Sequence, residues 1–133
     1  MTKLVEAAQT ESADPEVRAL VFASDTPGYF SDGYSLDEML GRAMRKRLRD
    51  GDFGAYEQVI DAYRRLIRIP IPTVSFVEGV CRGAGLEWAL CTDFIYTSSR
   101  ASFCFHEIRL GLVPGLGGLG LMGLRTGRTT AMR

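Results

Sequence analysis

The stretch Thr73-Val74-Ser75-Phe76-Val77-Glu78-Gly79-Val80-Cys81-Arg82-Gly83-Ala84-Gly85-Leu86-Glu87-Trp88-Ala89-Leu90-Cys91 sets the architecture. Ile69-Pro70-Ile71-Pro72 stops any helix ahead of it, and Thr73–Val77, rich in β-branched and aromatic residues, predicts a strand. The glycine-bearing segment 79–85 follows, and Leu86 to Cys91 then reads as a short apolar helix. At Gly83-Ala84-Gly85 the small residues let the backbone approach a ligand. The first N–H groups of the helix have no intrahelical partner, so they are available to developing negative charge.

Upstream, residues 3–11 predict a short helix that Asp14-Pro15 ends, and Val17–Ala23 predicts a buried strand. A loop over 24–35 carries Pro27, Gly28 and Gly33. Within it, Phe30-Ser31-Asp32-Gly33-Tyr34-Ser35 repeats the strand–glycine–helix setting and offers a second backbone donor. Leu36 to Arg49 has a helical pattern, acidic in its first turn and basic in its last, in accord with the helix dipole. Asp52 is placed to cap a further helix with Tyr56, Val59, Ile60, Tyr63, Leu66 and Ile67 on one face. Downstream, Phe94–Thr97 and Ala101–Phe105 predict two more strands joined through Ser98-Ser99-Arg100. Strands alternating with helices predict an α/β fold with mainly parallel pairing, in one domain spanning 1–133.

Two carboxylates need an explanation. Glu87 lies in the apolar helix beside Trp88, Ala89 and Leu90, and Glu107 closes the apolar strand Phe103-Cys104-Phe105. Burial of a carboxylate is costly unless it is paired or protonated. A raised pKa on one such group, with a neighbour kept ionised, is the division of labour that acid–base chemistry uses. The bland alternatives are a helix-start glutamate favoured by the dipole and a solvated strand end.

The order strand–Phe-x-x-Gly, helix, strand–Gly-Ala-Gly-Leu-Glu, Cys-x-Asp, strand, Glu-x-x-Leu-Gly-Leu-x-Pro-Gly-x-Gly-Gly resembles the enoyl-CoA hydratase/isomerase (crotonase) family. The resemblance runs from Asp14 to Met132 and is most specific between Pro72 and Gly118. It implies a crotonase-like spiral of ββα units, here without the first strands and the C-terminal helical region. It also implies catalytic roles for Glu87 and Glu107 and an oxyanion hole made by the backbone N–H groups of Tyr34 and Ala84. Phe30, Ser31, Asp32, Gly33, Gly83, Pro114 and Gly115 are the implied substrate-binding residues. Hydratases of the family keep both glutamates while its isomerases commonly keep only the second, so water addition to an unsaturated acyl-CoA is the implied reaction. Isomerisation or β-diketone cleavage on the same fold is the enzymatic alternative, and a shortened, inactive remnant or partner-binding fragment is the alternative of another class.

The implied partner is the acyl-CoA itself, with coenzyme A entering as part of the substrate, no separate cofactor and no metal. Homotrimers or hexamers are the family's assemblies. The sequence departs from the family pattern at Tyr34, Ser35, Ala84 and His106. Tyr34 replaces a small residue at the mouth of the expected hole, while both proposed donors act through the main chain.

Composition narrows the field further. Sixteen basic and sixteen acidic residues cancel, so no global field draws the chain to nucleic acid or an anionic membrane. Cys81, Cys91 and Cys104, odd in number and set in apolar stretches, predict buried reduced thiols and a cytoplasmic setting. The longest apolar tract, Gly111 to Leu124, is too short and glycine-rich for a membrane helix. Gly115–Gly120 satisfies GxGxxG, but Leu110–Pro114 is a poor strand, so a glycine-rich turn packing a helix near the acyl site is expected instead of a dinucleotide site. Arg42, Arg45, Lys46, Arg47 and Arg49 form either a patch for coenzyme A phosphates or a solvated helix face. His106 is expected to point away from Glu107, as neighbours on a strand do, and to make a structural hydrogen bond.

Overall fold

The computed structural model describes residues 1–35, 37 and 41–132. Among these, six short strands occur: β1 (Leu20–Phe22), β2 (Tyr29–Ser31), β3 (Thr73–Val77), β4 (Val80–Arg82), β5 (Phe94–Thr97) and β6 (Ser102–Cys104). They form two parallel sheets of order β1-β3-β5 and β2-β4-β6. Each consecutive strand pair therefore gives one strand to each sheet before the chain moves on, which makes the molecule a spiral of repeated units. The helices are α1 (Thr2–Ser12), α2 (Arg42–Arg49), α3 (Gly54–Ile67), α4 (Ala84–Cys91), α5 (Gly118–Thr126) and α6 (Arg128–Ala131), with one 3-10 turn at Glu107–Leu110.

α4 is the hub. All eight of its residues are buried, which explains a helix that is apolar on every side. Trp88 on α4 meets Phe22 and Tyr63 edge-on, with ring centroids 5.2 Å and 5.9 Å away. These rings join Val5 and Ala8 of α1 with Ala62 and Leu66 of α3 in one core cluster. Val77, Cys81, Leu86, Ala89 and Leu90 build a second. Arg125 of α5 closes the end of α4, donating to the carbonyls of Leu90, Thr92 and Asp93. α1 is tied to α3 by hydrogen bonds from Arg65 to Gln9.

β3 and β5 have the expected bounds, whereas β1 and β6 are shorter than their sequence patterns. β1 starts only at Leu20, whose N–H donates to the Pro72 carbonyl at 2.9 Å; Val17 is still held by a turn bond to Asp14. The prolines at 70 and 72 offer no N–H, so the partner strand cannot extend the ladder backwards. β2 and β4, read in the sequence as loop and glycine segment, are three-residue strands whose pairing carries an irregularity between Tyr29 and Ser31. The expected helix over 36–49 is not continuous. Gly41 is extended and caps α2, while residues 36 and 38–40 lie outside the described residues. The cap position of α3 is taken by Phe53 and not by Asp52, whose carboxylate instead accepts the Gly54 N–H at 3.1 Å in a turn leading into the helix.

The expectation of three buried thiols is corrected at Cys104, which is exposed at the end of β6. Cys81 and Cys91 are buried, and burial pushes both thiols up to about 12. No helix among the described residues is long and apolar enough to cross a membrane.

Asp93 joins the beginnings of β3 and β5. Its carboxylate accepts the Thr73 N–H at 2.8 Å and hydroxyl at 2.7 Å, and its own N–H donates to Thr73 Oγ1 at 3.0 Å. Those bonds to Thr73 hold the Asp93 pKa below the usual aspartate range. Its stabilisation is therefore complete above the ordinary aspartate pKa and is lost as pH falls through the lower folded value. Asp93→Ala is expected to cost about 1–3 kcal/mol in denaturant unfolding at neutral pH, because it strands the buried Thr73 amide. The part due to the carboxylate charge should fade in acid.

Candidate active site

α4 begins where Gly83, in a positive-φ conformation, turns the chain out of β4. The first bond along α4 is Glu87 N–H to the Gly83 carbonyl at 3.0 Å, so the Ala84 amide precedes the helical ladder. The other candidate donor segment is pressed against this one. A Cβ on Gly33 would lie 3.0 Å from the Arg82 oxygen and 3.3 Å from the Ala84 nitrogen, and one on Gly85 would lie 2.4 Å from the Ser31 Cβ. Only paired glycines allow the two backbones to interlock this closely. Ser31 Oγ also accepts the Gly33 N–H at 3.2 Å, fixing the turn before Tyr34.

A cavity of about 420 Å³ opens beside this junction, with Tyr34, Gly83, Ala84, Glu87, His106 and Glu107 on its wall. The rest of the lining is mostly apolar, drawn from Met44 and Leu48 of α2, Phe53, Tyr56 and Val59 at the start of α3, and Leu112 and Val113. Both glutamates singled out in the sequence thus face one space, as do the residues carrying both candidate amides.

Glu87 is 2% exposed, yet it is not an isolated charge. One oxygen, Oε1, accepts the N–H groups of Leu116 at 2.8 Å and Gly118 at 2.9 Å. Desolvation is the largest influence and raises its pKa; the two amides pull the other way, and the charge of Glu107 adds to the rise. Glu107 differs. Its Oε2 is buried with no hydrogen-bond partner among the described residues.

Glu107 does not end a strand. β6 stops at Cys104, and Glu107 opens the 3-10 turn with His106 as its cap. The alternation argument for His106 therefore fails, because it applies to extended backbone only. His106 and Glu107 line the same cavity instead of facing apart.

The other candidates divide. Gly83 and Gly115 line the cavity; Phe30, Ser31, Asp32, Gly33 and Pro114 do not. Phe30 packs against both core clusters, Ser31 and Gly33 shape the junction, Asp32 faces a neighbouring cavity, and Pro114 sits half-buried between lining residues. None of those five lies on this cavity's wall, and Asp32 lines its neighbour. Sequence reasoning missed Met44, Leu48, Phe53 and Leu112. Tyr56 and Val59 it took as one apolar helix face, although Tyr56 donates to the Gly115 carbonyl at 2.8 Å and supports the glycine-rich loop.

GxGxxG at 115–120 has no strand before it. The turn carries the two amides that hold Glu87 and leads into α5, in place of the strand–turn–helix that a dinucleotide site requires. On α2, Lys46 pairs with Asp50 at 2.8 Å and Arg47 with Asp52 at 2.7 Å, all four side chains being largely solvated. Those contacts favour the solvated-face reading of the basic run.

Comparisons with known proteins agree with this arrangement. The family model described as enoyl-CoA hydratase/isomerase matches residues 1–133. An enoyl-CoA isomerase/hydratase of Zymoseptoria tritici is 32% identical over 98% of this chain and 41% of its own length. The human mitochondrial methylglutaconyl-CoA hydratase is 30% identical over 86% of this chain and 32% of its own. Among solved structures, an enoyl-CoA hydratase subunit from Geobacillus kaustophilus superposes with a TM-score of 0.84 at 27% identity, covering 98% of this chain and 48% of that one. One from Polaromonas does so with the same score and identity over 96% and 48%. The chain thus spans about half or less of the length of the relatives it matches. Several relatives carry "mitochondrial" in their names, so the cytoplasmic expectation finds no support among them. With its spiral of parallel strand pairs and its full-length match, the chain belongs to the enoyl-CoA hydratase/isomerase family and has the crotonase fold.

Proposed function

We propose that this chain carries the site of a hydratase-type lyase, which adds water reversibly across the double bond of a 2-enoyl-CoA thioester. The observation that carries the reading is the shared cavity of Glu87 and Glu107 beside the start of α4. In this reading the thioester carbonyl oxygen takes the amides of Ala84 and Tyr34, which draws electron density from the conjugated alkene as the enolate forms. One such donor is worth about 3 kcal/mol of barrier. Water held between the two carboxyl groups attacks the β-carbon; one carboxylate accepts its proton and a carboxyl group delivers a proton at the α-carbon. The two glutamates divide the proton transfers of the cycle between them.

The apolar walls supply a place for the acyl chain and keep bulk water from the enolate. Interactions between the glutamates and the reacting atoms are strengthened in such surroundings. Retention of Glu87 as well as Glu107 favours hydration over double-bond migration, although the names of some relatives join the two activities.

The test is a substrate panel. Short and medium straight-chain 2-enoyl-CoA thioesters should be converted to 3-hydroxyacyl-CoA, with 3-enoyl-CoA thioesters isomerised far more slowly. Turnover of 3-enoyl-CoA alone would replace hydration by isomerisation, and inertness towards every thioester would remove the enzymatic reading of this chain.

A further inference from the structure

A second cavity, of about 450 Å³, shares His106 and Leu110 with the first and differs from it in chemistry. Arg82 from the end of β4 and Arg109 from the 3-10 turn both line it, together with Asp32, Ser102 and the exposed Cys104. Arg82 stands 3.4 Å from the Asp32 carboxylate, a long ion pair with both side chains substantially solvated. The Arg109 main-chain N–H donates to the His106 carbonyl at 3.0 Å, while its side chain makes no ion pair or hydrogen bond among the described residues. One carboxylate therefore shares the cavity lining with two arginines and a histidine, so the lining residues bring more donors than acceptors.

The placement gives this excess a meaning. Guanidiniums converging on a concavity suit an oxyanion, which each can bind through two parallel N–H groups. His106 belongs to both walls, so a ligand reaching from one cavity to the other passes its ring. We infer that Arg82, Arg109 and His106 form a binding site for an anionic group, a carboxylate or a phosphate, belonging to the substrate whose thioester occupies the neighbouring cavity. This inference rests on the thioester reading of that neighbouring cavity. A carboxylate would lie on the acyl portion and a phosphate on the coenzyme A portion; the recognition chemistry is the same.

His106 is the chain's single histidine, so its ring protons give one unambiguous NMR signal pair. The whole chain is titrated separately with coenzyme A, which brings phosphates without an acyl group, with glutarate, which brings carboxylates alone, and with the uncharged hexanoyl thioester of N-acetylcysteamine. At least one anionic probe should shift the His106 signals saturably. Arg109→Met, and Arg82→Met with Arg109→Met, should weaken that probe by about tenfold or more, the effect of removing a charge-assisted bond. Which anion responds identifies its source. The uncharged thioester should shift His106 equally in the wild type and both variants, which also shows that the variants remain folded.

If neither anion shifts His106, or if both bind the variants as well as the wild type, the inference is overturned. A response to an anion that depends on the arginines, with none to the uncharged thioester, would support the anion site and count against the thioester reading.

Discussion

Glu87→Gln leaves the chain folded and slows water addition by about two to four orders of magnitude, the range for loss of a positioned acid–base group. The substitution suits the test because a glutamine oxygen can still accept the Leu116 and Gly118 amides that Glu87 Oε1 now holds. The local geometry survives while the proton-transfer capacity is lost. Glu107→Gln should produce a loss of similar size, and the double variant should lose little more than either single one, since residues acting as a unit are not additive. Steady-state kcat and KM for a short 2-enoyl-CoA would check both, with kcat carrying the effect.

Stability should move in the opposite direction. Burial, the largest influence, raises the folded-state pKa of Glu87, so between the ordinary glutamate value and the folded one the native chain binds more protons than the unfolded chain. Its contribution to stability is thus best in acid and declines as pH rises through that window. Glu87→Gln removes this dependence, and the variant should be at least as stable as the wild type at neutral pH. A carboxylate kept at such a cost to the fold is the pattern expected of a working group.

Gly79→Ala should be the most damaging of the small substitutions, by about 3 kcal/mol or more, at the upper end of overpacking effects. A Cβ there would lie 2.0 Å from the Gly28 carbonyl oxygen and 2.3 Å from its carbon, so the obstacle is backbone. The two glycines lie where the chain passes between sheets in successive turns of the spiral, and the Val80 N–H donates to that same carbonyl at 2.9 Å. Neither strand can yield without breaking the β2–β4 ladder, which carries Gly33 and Gly83 to the site. Denaturant unfolding should show a lowered midpoint, and a midpoint equal to the wild type's would contradict the crossing described here.

The residues differ in how openly the sequence announces them. Glu87 was legible because a charge in an apolar helix is anomalous on its face, and Thr73–Val77 because four of its five residues are β-branched or aromatic and it follows a proline. Glu107 was found for its position, but its local structure was misjudged. The apolar run to Phe105 looks like a strand, and only the partner strand β4, ending at Arg82, limits β6 to three residues. His106 was misplaced for the same reason. The cavity's apolar wall was not legible, because Leu48 and Phe53 carry no mark that separates a ligand-facing side chain from a core or surface one. The grip of Leu116 and Gly118 on Glu87 spans about thirty residues of sequence and depends on main-chain groups that every residue possesses.

The most direct test is the structure of the chain bound to acetoacetyl-CoA, a non-reacting thioester with an oxygen at the β-carbon. The account predicts a thioester oxygen about 2.7–3.1 Å from the Ala84 and Tyr34 nitrogens and a β-carbon lying between the Glu87 and Glu107 carboxyl groups. A thioester seated elsewhere, or a β-carbon within reach of only one of those carboxyl groups, would contradict it.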